Sequence, residues 1–210
     1  MRVIAIDGPA GAGKSTVAKA LAARLGLDYL DTGAMYRAVA FAVLQRGVDP
    51  RDVDAVAAAV PTVRMEIGAQ VVVDGVDATT AIRGRQVTDA VTPVAANSAV
   101  RSALRERQRE WALAHHGGVI EGRDIGSVVF PDAELKLYLT ASPRVRAERR
   151  VAQTGGDVDE IEASIARRDA ADAGRSDGPM VEASGSVVID TTGQTVAAVL
   201  DSIERLLEQP

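Results

Sequence analysis

The chain opens with an apolar run, Val3-Ile4-Ala5-Ile6, that stops at Asp7. A short, unbroken apolar run predicts a strand covered on both faces. Over residues 14–25 the apolar positions fall at helical spacing, at Val17, Ala20, Leu21 and Leu25. The alternation continues, with a short strand expected at 28–30 and a helix over 32–46 whose apolar side carries Met35, Val39 and Val43. A further helix is expected over 51–60. Then the period drops to two in Val63-Arg64-Met65-Glu66-Ile67 and in part of the stretch 71–76, with Gly68-Ala69 and Asp74-Gly75 placed as turns. That pattern predicts a small antiparallel meander, an insert near residues 61–90. Residues 94–115 read as one long helix. Val119-Ile120-Glu121, residues 135–139 and Val187-Val188-Ile189-Asp190 read as strands, with helices at about 143–153, 158–171 and 195–207.

Strands alternating with helices imply an α/β fold with a parallel sheet covered on both faces. Ligands of such sheets bind at the carboxyl ends of the strands. Asp7-Gly8, Asp31-Thr32, Glu121-Gly122 and Asp190-Thr191 all fall at such ends. A length of 210 residues fits a single domain, 1–210, carrying one insertion.

Composition narrows the picture. Cysteine is absent, which removes disulfides and thiolate chemistry and fits a reducing, cytoplasmic setting. The first strand begins at once, so no signal peptide is expected. No apolar run approaches the roughly 18 residues of a membrane span. A net charge of −5, with one Trp, three Tyr and two Phe, speaks against a nucleic-acid surface built on basic patches and stacked bases. Arginine far outnumbers lysine, which occurs only at 14, 19 and 136, so only arginines inside motifs count as evidence.

Between the first strand and the first helix lies Gly8-Pro9-Ala10-Gly11-Ala12-Gly13-Lys14-Ser15-Thr16. This is the G-x-x-x-x-G-K-S spacing of a phosphate-binding loop. Its glycines let backbone N–H groups wrap a phosphate chain, and the following helix N-terminus adds its dipole. Lys14 supplies a point charge for the terminal phosphates and the Ser15 hydroxyl a ligand for Mg²⁺. A nucleoside triphosphate with Mg²⁺ is therefore expected as one substrate. The N-K-x-D base-reading motif of GTPases is absent. Arginines at several strand ends suit a second, anionic substrate, because phosphoryl transfer rests on positioning and charge neutralisation.

Four separated motifs, in order, carry a resemblance. The phosphate loop is followed by Asp31-Thr32-Gly33-Ala34-Met35-Tyr36-Arg37, by Glu121-Gly122-Arg123-Asp124-Ile125-Gly126, and by Arg168-Asp169-Ala170-Ala171-Asp172-Ala173-Gly174-Arg175. Together they resemble the bacterial cytidylate kinases, nucleoside monophosphate kinases of the P-loop kind, over nearly the whole chain. The resemblance implies a three-layer P-loop kinase fold with a parallel central sheet, a small antiparallel β insert at 61–90 that binds the monophosphate, and a short helical lid near 144–157. It implies phosphorylation of CMP and dCMP by ATP with Mg²⁺. By position, Arg37, Arg123 and Arg175 would clamp the acceptor phosphate. Thr92, Arg101 and Asp124 would read the cytosine, and Arg168 and Asp172 would hold the ribose. Thr32 and Tyr36 would line the acceptor pocket. Arg146, Arg149 and Arg150 would meet the triphosphate, and Glu121 would reach Mg²⁺ through water. Lys14, Arg123 and Arg175 would carry catalysis. Glu121 stands where the family most often has Asp, Thr32 where Ser is commoner, and Asn97-Ser98-Ala99 where a proline is expected.

Two other readings stay open at this point. One is a kinase for UMP, another nucleotide or a small metabolite. The other is a nucleotide-binding switch or nucleic-acid-stimulated ATPase using the arginine-rich helix. The expected protein is a cytoplasmic monomer with no nucleic-acid or membrane partner.

Overall fold

The computed structural model describes residues 1–208; residues 209 and 210, part of the expected 1–210 domain, lie outside them. In chain order the elements begin with β1 (Arg2–Asp7), α1 (Lys14–Leu25), β2 (Tyr29–Asp31), α2 (Thr32–Gln45) and α3 (Val53–Ala59). Then come β3 (Met65–Ile67), β4 (Val71–Val73), β5 (Val76–Asp77), α4 (Arg85–Ala96) and α5 (Ser98–Ala114). The chain ends with β6 (Gly117–Glu121), β7 (Leu135–Thr140), α6 (Pro143–Thr154), α7 (Val158–Ala173), β8 (Val187–Asp190) and α8 (Val196–Leu207). By its contacts the chain forms two compact units, Met1–Tyr29 with the chain from Ala112 onward, and Leu30–Trp111.

The first unit is built on the central sheet, of strand order β2-β6-β1-β7-β8. β1 runs parallel to β6 on one side and to β7 on the other, and β7 runs parallel to β8. The most apolar strand thus takes the middle, where both of its faces are covered. Ile4 and Ile6 of β1 pack in one cluster with Val17, Ala18 and Leu21 of α1, Val119, Leu137 and Leu139 of the neighbouring strands, and Val199, Leu200 and Ile203 of α8. The register pairs Ile6 with Glu121 and Thr140 with Asp190, so the polar strand ends fall at one edge of the sheet.

In the second unit α2 packs on α4 and on β3 and β4. The side chain of Asp31 caps α2, accepting from Ala34 N at 2.9 Å. β3, β4 and β5 form the expected antiparallel meander, with Met65 opposite Val73 and Val73 opposite Val76. Asp74 and Gly75 join β4 to β5 with φ of 50° and 82°, the two positive angles that a two-residue hairpin turn demands.

One expectation is corrected. The single helix over 94–115 is two, α4 and α5, separated at Asn97, whose backbone is extended at φ −73°, ψ 118°. Asn97 Oδ1 accepts from Ala99 N at 3.0 Å and its Nδ2 donates to Val53 O at 2.8 Å, so the side chain ends one helix and caps the next. α4 also begins at Arg85, inside the stretch assigned to the insert. A π-helical turn at Ile125–Val129, directly after Arg123-Asp124, lies in a segment for which the sequence carried no expectation.

Candidate active site

The phosphate loop lies between β1 and α1. Gly8, Gly11 and Gly13 have φ of 137°, 78° and 90°. A Cβ on Gly8 would stand 2.0 Å from Leu139 O and one on Gly11 2.8 Å from Arg146 O, so side chains are excluded by both conformation and space. α1 starts with no side-chain cap at Gly13. Its first N–H groups have no partner within the helix and suit an anion. Lys14 is buried, and its Nζ donates to Pro9 O at 2.8 Å. Burial, then the Arg123 charge, pushes the Lys14 ammonium down to about 7, against the pull of Glu121 and Asp7. Arg168 adds to the downward push. Lys14, Arg123, Arg168, Glu121 and Asp7 therefore share one electrostatic neighbourhood. Ser15 and Thr16 are exposed on the first turn of α1. Glu121 is buried at the end of β6, where Tyr29 Oη donates to its Oε1. One hydroxyl and one carboxylate fit Mg²⁺, which keeps most of its shell as water and phosphate oxygens.

Of the three arginines assigned to the triphosphate, two brace the phosphate loop. Arg146 Nη1 donates to Ala10 O at 3.1 Å and Nε to Ala141 O at 3.1 Å, and Nη1 pairs with Asp169. Asp169 Oδ1 in turn accepts from Ala10 N at 3.1 Å, so both backbone groups of Ala10 are engaged. Arg149 donates to Thr191 Oγ1 at 2.9 Å and Thr191 O at 2.8 Å, and the Thr191 hydroxyl lies 3.0 Å from Ala12 O. Arg150 is half-buried on α6. Asp169 and Thr191 were missed in the sequence, although Asp169 stands inside a quoted motif and Thr191 follows a strand-end aspartate.

The acceptor-side residues of this unit gather around Asp172, which is 1% exposed. Arg123 Nε donates to Asp172 Oδ2 at 2.9 Å, and Arg175 Nη2 pairs with Oδ1. Asp172, expected at the ribose, thus also orders the two guanidinium groups assigned to the phosphate. Asp124 is buried beside Arg123, and Arg168 is half-buried on α7.

In the second unit Thr32, Tyr36 and Arg37 lie on the first turns of α2. The Arg101 guanidinium stands over the Tyr36 ring, 5.5 Å from its centroid. That side chain is fully buried, and its Nη1 donates to Ala95 O at 3.3 Å. Arg37 Nη1 donates to Ile82 O at 3.0 Å and Thr88 Oγ1 at 2.9 Å. Thr92 is half-buried on α4. Thr88 is a further partner that the sequence did not reveal. A cavity of about 450 Å³ in this unit, lined by Leu30, Met35, Val63, Met65, Ile67 and Trp111 among others, contains none of these residues.

The profile of the cytidylate kinase family matches residues 4–209. The chain is 46% identical over 217 residues to a cytidylate kinase of Mycobacterium avium, covering 99% of this chain and 95% of that one. It is 49% identical over 214 residues to a bifunctional pantoate ligase/cytidylate kinase of Parasynechococcus marenigrum, covering 96% of this chain and 42% of that longer protein. Among solved structures, a shikimate kinase of Bacteroides thetaiotaomicron superposes with a TM-score of 0.52 at 15% identity, over 99% of each chain. A protein of Eubacterium ventriosum superposes with a TM-score of 0.59 at 13% identity, over 100% of each chain. At these identities the structural matches speak for the P-loop kinase fold alone.

Proposed function

The chain belongs to the cytidylate kinase family, and from that premise we infer that it transfers the γ-phosphoryl group of ATP in line to the 5′-phosphate of CMP or dCMP, giving ADP and CDP or dCDP. The observation that supports this best is the pairing of Arg123 and Arg175 on buried Asp172, in the unit whose phosphate loop holds Lys14. The reaction joins two polyanions, and a fixed array of cations lowers their repulsion and the charge built up at transfer. The attacking phosphate oxygen is already anionic near neutral pH, so no general base is required.

Gly8 to Thr16 hold the triphosphate, with Lys14 drawn to full charge by the arriving phosphates. Arg123 and Arg175, with Arg37, clamp the acceptor phosphate. Asp124, Arg101 and Thr92 read cytosine; a carboxylate accepts from the exocyclic amine, which uracil replaces with a carbonyl. Arg168 and Asp172 address the ribose, and Thr32 and Tyr36 line the pocket. Arg146 and Arg149 hold the phosphate loop in shape, and together with Arg150 they are the arginines assigned to the triphosphate. The Ser15 hydroxyl and the Glu121 carboxylate would be the residues to hold Mg²⁺, which would neutralise phosphate charge. The protein acts as a monomer in the cytoplasm, without nucleic-acid or membrane partners.

A coupled assay of ADP release with ATP and CMP, dCMP, UMP or AMP tests this reading. CMP and dCMP are expected to exceed UMP and AMP in kcat/KM by at least about 100-fold, as for a site built on a directed hydrogen bond. Equal rates with UMP would overturn the base assignment. ATP hydrolysis without acceptor phosphorylation would overturn the activity.

A further inference from the structure

Asp7 is the last residue of β1, and its side chain is 3% exposed. The transfer mechanism gives it no part. Both of its oxygens nevertheless have partners far along the chain. Oδ1 accepts from Ile125 N at 2.8 Å and Oδ2 from Gly126 N at 2.7 Å, across 118 and 119 residues. These two amides open the π-helical turn at Ile125–Val129. The turn is closed by Val129 N to Asp124 O at 3.2 Å and Phe130 N to Ile125 O at 2.7 Å, and its own N-cap residue, Asp124, provides no side-chain cap. The first N–H groups of any helical turn have no partner within it, and buried orphans are costly. π turns are rare, and such short ones occur frequently at functional sites.

We propose that Asp7 is a positioning residue for the acceptor nucleotide: its carboxylate caps the π turn and thereby sets where Arg123 and Asp124 stand. The inference rests on the acceptor roles proposed above for those two residues. One residue then joins the two halves of the reaction. Asp7 directly precedes Gly8, where the donor loop starts, and it holds the segment assigned to the acceptor.

Asp7→Asn keeps the shape and one acceptor but turns an NH₂ group toward a backbone N–H. Three measurements on the whole protein decide the matter: calorimetric Kd for CMP and for ATP, hydrogen exchange at the Ile125 and Gly126 amides, and melting temperature. The expected result is a Kd for CMP at least about tenfold higher with ATP changed by less than about threefold, as for loss of a hydrogen bond to a charged group. Exchange at both amides should rise by a comparable factor. Equal weakening of CMP and ATP would overturn the proposal, as would unchanged CMP binding with the two amides exposed. Asp124→Ala separates the two ideas. If it leaves CMP affinity intact, the base-reading role of Asp124 falls, and the cap is decided by the exchange measurement alone. Should Asp7→Asn fail to fold, the wild-type amides decide: exchange at the rate of an open loop would overturn the cap.

Discussion

Arg123 and Asp172, 49 residues apart, meet at 2.9 Å on a carboxylate that also receives Arg175. Removing the carboxylate leaves two guanidinium groups without their shared anchor. Breaking such a buried pair costs about 3–5 kcal/mol. Asp172→Ala should therefore lower stability by about that amount and cut kcat/KM for CMP by at least 100-fold, roughly the loss expected when two charged contacts are displaced. KM for ATP should move little. Urea denaturation and steady-state kinetics with each substrate varied in turn check this; a selective loss on ATP would contradict it.

Arg146 and Asp169 should act on the donor. Together they hold the N–H and C=O of Ala10. Arg146→Met and Asp169→Asn are each expected to raise KM for ATP by about tenfold, the scale of one hydrogen bond to a charged group. KM for CMP should stay within about twofold. The double variant should cost less than the product of the two, because both changes release the same residue.

Two glycines with positive φ should respond differently to alanine. Gly8 sits at φ 137° with Leu139 O only 2.0 Å from a built Cβ, so Gly8→Ala must displace the strand or the loop. Loss of activity and a stability cost above about 2 kcal/mol are expected. Gly26 sits at φ 62° with nothing within 4 Å of a built Cβ. Gly26→Ala should cost only about 1 kcal/mol, the left-handed penalty itself, and leave kcat unchanged. Thermal melts and turnover of the two variants make the comparison.

Burial, reinforced by the Asp124 charge, pushes the Asp7 carboxyl up from 3.8 to about 6, against its two backbone hydrogen bonds and Lys14. The folded state thus binds this proton more tightly than the unfolded chain. The resulting contribution is fully present below pH 3.8 and is lost as pH rises through about 6. Its size is on the order of 3 kcal/mol, from a shift of roughly two units. Denaturation midpoints at pH 4 and pH 6.5 should show this fall in the wild type and lack it in Asp7→Asn, which has no proton to lose.

Much of the fold was legible because local chemistry and the final architecture agree. The apolar run of β1, the positive-φ glycines of the phosphate loop and the Asp74-Gly75 hairpin each depend on residues within a few positions of one another. Asn97 was legible in principle, since Asn before Ser at a helix start is a cap signal, but the apolar spacing on either side of it masked the break.

What the sequence determined by itself was the order of the strands, the glycine loop before α1 and a set of arginines suited to a second anion. Tertiary structure alone decided what those arginines lean on. Asp172 under Arg123 and Arg175, Asp169 beside Arg146, Thr191 beside Arg149 and Asp7 capping a turn more than a hundred residues away are unmarked by any periodicity. A buried charge must find its partner wherever the folded backbone brings one near, and that distance in space has no counterpart along the chain.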